Sequence, residues 1–122
     1  MTIADCTILD STQNGIMAAS PALIQSCQTD LCDGTGVYLA ASAENSIVSN
    51  SRISHCGLRG ISHSSYPSFC LITGNRIWNC GREGIGTSNS WQVHGNIIDE
   101  ISIPCSESLS EACTTDSRPS VD

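Results

Sequence analysis

Apolar residues recur along this chain in triplets. A β-branched residue is followed five places later by an isoleucine, and eight places after that by an Ile or Val. Val48, Ile53 and Ile61 make one triplet, and Ile72, Ile77 and Ile85 make the next. The unit then restarts after about 24 residues. No α-helix of 3.6-residue period accommodates gaps of 5 and 8, and neither does a meander of long strands. Three short strands per unit, joined by turns, do.

Two segments carry the full pattern Ile-x-x-Cys-Gly-x-x-Gly-Ile: ISHCGLRGI from Ile53 to Ile61, and IWNCGREGI from Ile77 to Ile85. A weaker copy is ILDSTQNGI from Ile8 to Ile16, with Ser11 at the Cys place. Another begins IQSC at Ile24 to Cys27 and reaches Gly36-Val37 after five extra residues within QTDLCDGT. A partial copy starts at Ile98 with IDEI. In this alignment the leading apolar mark is Ile3, Val48, Ile72 and Val93, with Ala19 in the second unit.

Units that repeat at this period cannot bury an apolar face singly, so they must stack. Stacking puts equivalent residues one strand spacing apart, roughly 4.8 Å. The inward ladders expected are Ile8, Ile24, Ile53, Ile77 and Ile98 in one column, and Ile16, Val37, Ile61 and Ile85 in another. Cys27, Cys56 and Cys80 form a third, read as small buried hydrophobes at a turn. Gly57, Gly60, Gly81 and Gly84 mark the corners, where a positive φ is often needed.

These repeats resemble those of right-handed parallel β-helix proteins, the pectate-lyase-like superfamily. The unit GNRIWNCGREGI, Gly74 to Ile85, is similar to the generic repeat of that group. The resemblance spans Ile3 to about Ile103 and implies an all-β, right-handed parallel β-helix (solenoid) of about four to five coils. Right-handedness also follows the usual rule for parallel crossovers. The group consists largely of secreted or surface proteins acting on polysaccharides, including lyases, hydrolases, epimerases, tailspikes and adhesins. The resemblance therefore implies an extracellular or cell-surface setting and a polysaccharide or glycan partner. No cofactor or metal is expected from the residues; calcium enters by family resemblance only, and no acidic cluster for it is placed, Asp30 to Gly36, DLCDGTG, being too short for an EF-hand loop. Residues after Ile103 drop the pattern; PCSESLSEACTTDSRPSVD, 104–122, reads as a polar, flexible tail. The coils are read as part of a longer solenoid or as a module with partners at its ends. MTIADCTILD, at the start, reads as strand material and not as a leader.

Composition narrows the partners. Twelve acids face five arginines, lysine is absent, and the net charge is −7. Phosphate neutralisation by Lys and Arg drives nucleic-acid binding, and anionic lipid needs the same, so neither partner is expected. Eight cysteines show no C-x2-C spacing, which argues against a zinc ribbon. Cys27 with Cys32, and Cys105 with Cys113, are candidate disulfides.

The candidate glycan-facing surface comprises Arg52, Arg76, His55, Trp78, Asn79, Asp99 and Glu100. Arg52 and Arg76 are equivalent and stack as like charges; either counter-ions solvate them or an acidic sugar sits there. His55, Asn79 and Glu100 fall in one column with Asp10 and Ser26, and Trp78 and Asp99 in the next with Leu9, Gln25 and Ser54. An aromatic beside acids and a histidine suits a sugar ring, and paired carboxylates or a His base could process it. Asp99 and Glu100 are neighbours on a strand and so point to opposite faces, which favours a solvation role. Arg59 and Glu83 are equivalent surface residues, and His63 and His94 stand singly. Two functions remain: a module that binds or processes polysaccharide, or a non-enzymatic scaffold, spike or adhesin. An ice-binding array is set aside, because the threonines form no column.

Overall fold

The computed structural model describes residues 1–64, 69–82, 84–86 and 91–101, with the backbone alone at 99–101. Thirteen strands lie among these residues, and no helix. The first coil holds β1 (Thr2–Ala4), β2 (Thr7–Ser11) and β3 (Ile16–Ala18). The second holds β4 (Leu23–Gln25), β5 (Gln28–Cys32) and β6 (Val37–Leu39), and the third β7 (Ile47–Ser49), β8 (Arg52–Cys56) and β9 (Ile61–His63). β10 (Leu71–Thr73) and β11 (Arg76–Cys80) form the fourth, closed by an isolated bridge from Ile61 to Ile85. β12 (Gln92–His94) and β13 (Ile97–Ile101) begin a fifth.

Every strand pair is parallel, and each strand pairs with its equivalent in the next coil. Three sheets result. Sheet A runs β1-β4-β7-β10-β12, sheet B runs β2-β5-β8-β11-β13, and sheet C runs β3-β6-β9. Such a parallel solenoid buries one side chain of each strand in a common dry interior. In sheet A the inward column is Ile3, Ile24, Val48, Ile72 and Val93. In sheet B it is Ile8, Thr29, Ile53, Ile77 and Ile98. In sheet C it is Ile16, Val37 and Ile61, continued by Ile85.

The second coil corrects the sequence alignment. Ile24 belongs to the sheet A column and not to that of Ile53 and Ile77; Thr29 takes its expected place. Ala19 has no part in the sheet A column. Ile24, Thr29 and Val37 show the same 5-and-8 spacing as the other coils, so QTDLCDGT contains no insertion. Length varies elsewhere: the sheet A column repeats every 21 or 24 residues, and the difference falls in the loops from sheet C back to sheet A. The cysteine column shifts likewise. Cys32, not Cys27, is the register partner of Cys56, with Ser11 before it and Cys80 after it.

Cys27 occupies instead the turn between sheets A and B, in a column of Cys6, Cys27, Ser51, Asn75 and Asn96. Asn96 Oδ1 accepts from Asn75 N–H at 2.9 Å, and Asn75 Oδ1 accepts from Ser51 N–H at 2.9 Å. Ser51 Oγ then accepts from Cys27 N–H at 3.2 Å. The amide groups of Asn75 and Asn96 also donate to Val48 O and Ile72 O, at 2.9 and 3.0 Å. Each buried turn thus has its N–H satisfied by the next coil. The six described cysteines are free thiols, so Cys27 and Cys32 are not joined; Cys105 and Cys113 lie outside the described residues, as does the tail from 104.

The glycines act through space and not through φ. Gly57, Gly60, Gly81 and Gly84 all lack a positive φ, which among the described glycines is confined to Gly74 and Gly95. A Cβ on Gly60 would stand 2.5 Å from Ile77 Cγ2 and 2.7 Å from Gly84 O. The positive-φ corners fall on other residues: Asp5, Ser26 and Asn50 in one column with Gly74 and Gly95, and Asp10, Leu31, His55 and Asn79 in a second. Asn and Asp tolerate that conformation; Leu31 does so at a cost of about 1–2 kcal/mol.

Two outcomes test this register. Thr29 is 1 % exposed and its Oγ1 has no hydrogen-bond partner among the described residues. Thr29→Val keeps the shape and removes the unpaired hydroxyl, so it should stabilise the chain by about 1 kcal/mol in urea unfolding. Gly60→Ala should destabilise by about 1–3 kcal/mol through overpacking, read by the same titration.

Candidate functional site

The outer face of sheet B gathers the chemistry. Alternation along a strand turns residues 52 and 54, or 76 and 78, away from the interior. The first outward column is Thr7, Gln28, Arg52, Arg76 and Ile97. The second is Leu9, Asp30, Ser54 and Trp78, with Asp99 the next residue in the backbone register. Asp30 replaces the expected Gln25 there, and Leu31 replaces Ser26 beside His55 and Asn79.

Arg52 and Arg76 are register partners and both are exposed. The Arg76 guanidinium carbon lies 5.0 Å from the centroid of the Trp78 ring, a cation–π contact along one strand. Trp78 is half-buried, and its register partner Ser54 is 3 % exposed although it faces outward.

Asp30 is the group that sequence reasoning missed. Its Oδ1 accepts from Ser54 Oγ at 2.9 Å and from His55 Nδ1 at 2.7 Å. An ionised carboxylate only accepts, so His55 carries its proton on Nδ1 toward Asp30 and leaves Nε2 for an outside partner. The positive φ of His55, 53°, lets residue 55 follow Ser54 and still reach the same carboxylate. Burial raises the Asp30 pKa, but the hydrogen bonds from Ser54 and His55 outweigh it and hold the carboxyl below its ordinary value. Asp30 was hidden because the misplaced second coil put Gln25 in its column. The cue available was the 5-and-8 spacing, which places Thr29 inward and Asp30 outward.

Of the other candidates, Asn79 is exposed in the column of His55. Asp99 lies beside Trp78 in the strand register, but the side chains of Asp99 and Glu100 lie outside the described residues, as does Glu83. His63 sits against the Trp91 ring, centroids 5.4 Å apart, and His94 Nδ1 lies 3.4 Å from Thr73 Oγ1, both away from this face. The interior cysteines take no part. Burial raises the Cys32 pKa, while the hydrogen bond between Cys56 and Cys80 raises the Cys56 pKa and lowers that of Cys80. Among the described residues no three His, Cys, Asp or Glu side chains converge to hold a metal ion.

The model of the right-handed beta helix region family matches residues 1–116. This chain belongs to that family, which agrees with the parallel solenoid and its three sheets. No curated protein and no solved structure matches it.

The Asp30 contacts carry a pH dependence. A carboxyl held below its unfolded pKa, about 3.9, stabilises the fold fully above that value. That contribution is lost as pH falls through the folded value. Asp30→Asn should therefore be less stable than wild type at pH 7, with the difference shrinking below about pH 4. Urea midpoints of both chains between pH 7 and pH 2.5 test this.

Proposed function

We propose that this chain is a β-helix module that binds a glycan along the outer face of sheet B. The observation that carries the reading is the grouping of Trp78, stacked by Arg76, with the polar side chains of Gln28, Asp30, Arg52, Ser54 and His55 on adjacent strands. An indole offers an apolar surface for the C–H face of a sugar ring. The neighbouring amide, hydroxyl and imidazole groups are donors and acceptors for its hydroxyls. Solenoids suit such a task, because their strands present an extended surface to a long ligand. A polysaccharide partner would place the module outside the cell or at its surface.

Processing is the second reading, and the His55–Asp30 pair supports it. A carboxylate that fixes Nδ1–H leaves Nε2 as a proton acceptor, the arrangement a general base requires. The same face serves as a passive anchor if no bond in the glycan is broken.

Affinity electrophoresis of the full chain through gels containing neutral or acidic polysaccharides tests binding. Retardation by at least one polymer is expected. Trp78→Ala should weaken it about tenfold, roughly 1.4 kcal/mol, with an unchanged circular dichroism spectrum. Equal retardation of wild type and Trp78→Ala would remove the face from consideration. New reducing ends or unsaturated products, lost in His55→Gln, would establish processing over anchoring.

A further inference from the structure

The geometry points to Cys6 and Cys27 as a redox-formed staple: in an oxidising setting the two thiols join as a disulfide that ties the first coil to the second. The staple is independent of the glycan reading above.

The two cysteines are register equivalents. Gln28 N–H donates to Cys6 O at 2.8 Å, as Arg52 N–H does to Cys27 O at 2.9 Å one coil further on, so residues 6 and 27 stand opposite each other in the turn between sheets A and B. One strand spacing, roughly 4.8 Å between Cα atoms, lies inside the range of about 4.4–6.8 Å that a disulfide spans. The side chains already meet: the Cys27 sulfur accepts from the backbone N–H of Cys6 and hydrogen-bonds with the Cys6 thiol. Each thiol also donates to the carbonyl two residues before it, Cys6 to Ala4 O at 3.4 Å and Cys27 to Gln25 O at 3.3 Å, so the two side chains point the same way.

Exposure separates this pair from the other thiols. Cys6 is exposed, while Cys27 is 3 % exposed. Cys32, Cys56 and Cys80 also touch along their column, but all three are buried, and so is Cys70. Among the described residues only Cys6 can begin exchange with a reagent in solvent. Burial raises the Cys27 pKa, which keeps that thiol protonated while Cys6 reacts first.

With glutathione disulfide as the oxidant, two exchanges complete the bond. The Cys6 thiol loses its proton and attacks one glutathione sulfur; the glutathione S–S bond breaks and one glutathione leaves as a thiolate. Cys27 then loses its proton and attacks Cys6 Sγ; the mixed disulfide breaks, the Cys6–Cys27 bond forms, and a second glutathione thiolate leaves. The protein gives up two electrons, and both protons end on the departing glutathiones.

The first coil has the most to gain. β1, β2 and β3 pair only with β4, β5 and β6. Asn75 and Asn96 hold their coils through amide hydrogen bonds of 2.9–3.0 Å, whereas the Cys27 thiol reaches Ile3 O at 3.5 Å. A covalent bond would supply in the first two coils the tie that amides supply further along.

The test is equilibration of the full chain with mixtures of reduced and oxidised glutathione, alkylation of free thiols, and digestion before aspartate. Cleavage at Asp5, Asp10, Asp30, Asp33 and Asp99 puts Cys6, Cys27 and Cys32 on separate peptides and apart from Cys105 and Cys113. A linked Cys6–Cys27 peptide is expected, lighter than its two halves by two hydrogens. A rise in Tm of about 10 °C, reversed by dithiothreitol, should accompany it. Cys6→Ser changes an exposed side chain and should match the reduced wild type in Tm, with neither the link nor the rise. A persistent glutathione adduct on Cys6, a link from Cys6 to another cysteine or to a second chain, or a linked peptide with unchanged Tm would overturn the inference. So would a rise in Tm that survives in Cys6→Ser, or a Cys6 that stays reduced in glutathione disulfide alone.

Discussion

The solenoid depends on how closely one coil can lie on the next. Backbone hydrogen bonding between equivalent strands fixes that separation at one strand spacing. Everything inside must fit it. At each corner into sheet C the chain has no room for even a Cβ, because the branch of the next coil's sheet B residue fills the space. Gly36 stands against Ile53, Gly60 against Ile77 and Gly84 against Ile98. The glycine column and the isoleucine column are therefore two halves of one contact. Dense interiors of this kind carry strain directly from layer to layer.

Much of this architecture could be read from residues. Two near-identical units gave the period, and the apolar triplets gave three strands per coil. The second coil resisted because Thr29 occupies a position held elsewhere by isoleucine. A polar residue at an apolar mark breaks the visible pattern, and Ile24 together with Cys27 offered a false match. Physically the substitution is tolerable: Thr is β-branched and fills nearly the volume of Val, leaving only a hydroxyl without a partner. The corner conformations were less legible. Nothing in the residue type of Leu31 or Phe69 announces a positive φ, yet both adopt it, Leu31 in the same corner column as Asp10, His55 and Asn79.

Legibility of the candidate site followed that of the register. Arg52, Arg76, His55, Trp78 and Asn79 lie in coils whose alignment was plain, and the structure places them on sheet B and in its adjoining corner column. Asp30 lies in the coil that was misaligned, and with it went the hydrogen bonds that organise Ser54 and His55. A one-coil error thus removed the only described acid on the central part of the face. It changed the surface from an organised polar cluster to a pair of arginines near an indole.

The turn column between sheets A and B is not uniform along the axis. Asn96 and Asn75 link their coils through both a side-chain acceptor and a side-chain donor, Ser51 links through a hydroxyl alone, and Cys27 and Cys6 offer thiols. A thiol is a far weaker donor than an amide N–H. In a stack where each layer touches only its neighbours, cooperativity is the product of such links. This one carries a polarity: asparagine amides link the third, fourth and fifth coils, the Ser51 hydroxyl links the second to the third, and the Cys27 thiol links the first to the second. Arg76 and Trp78 sit among the amide-linked coils and Asp30 in the coil linked by a hydroxyl, so the face that would meet a ligand straddles the change of link.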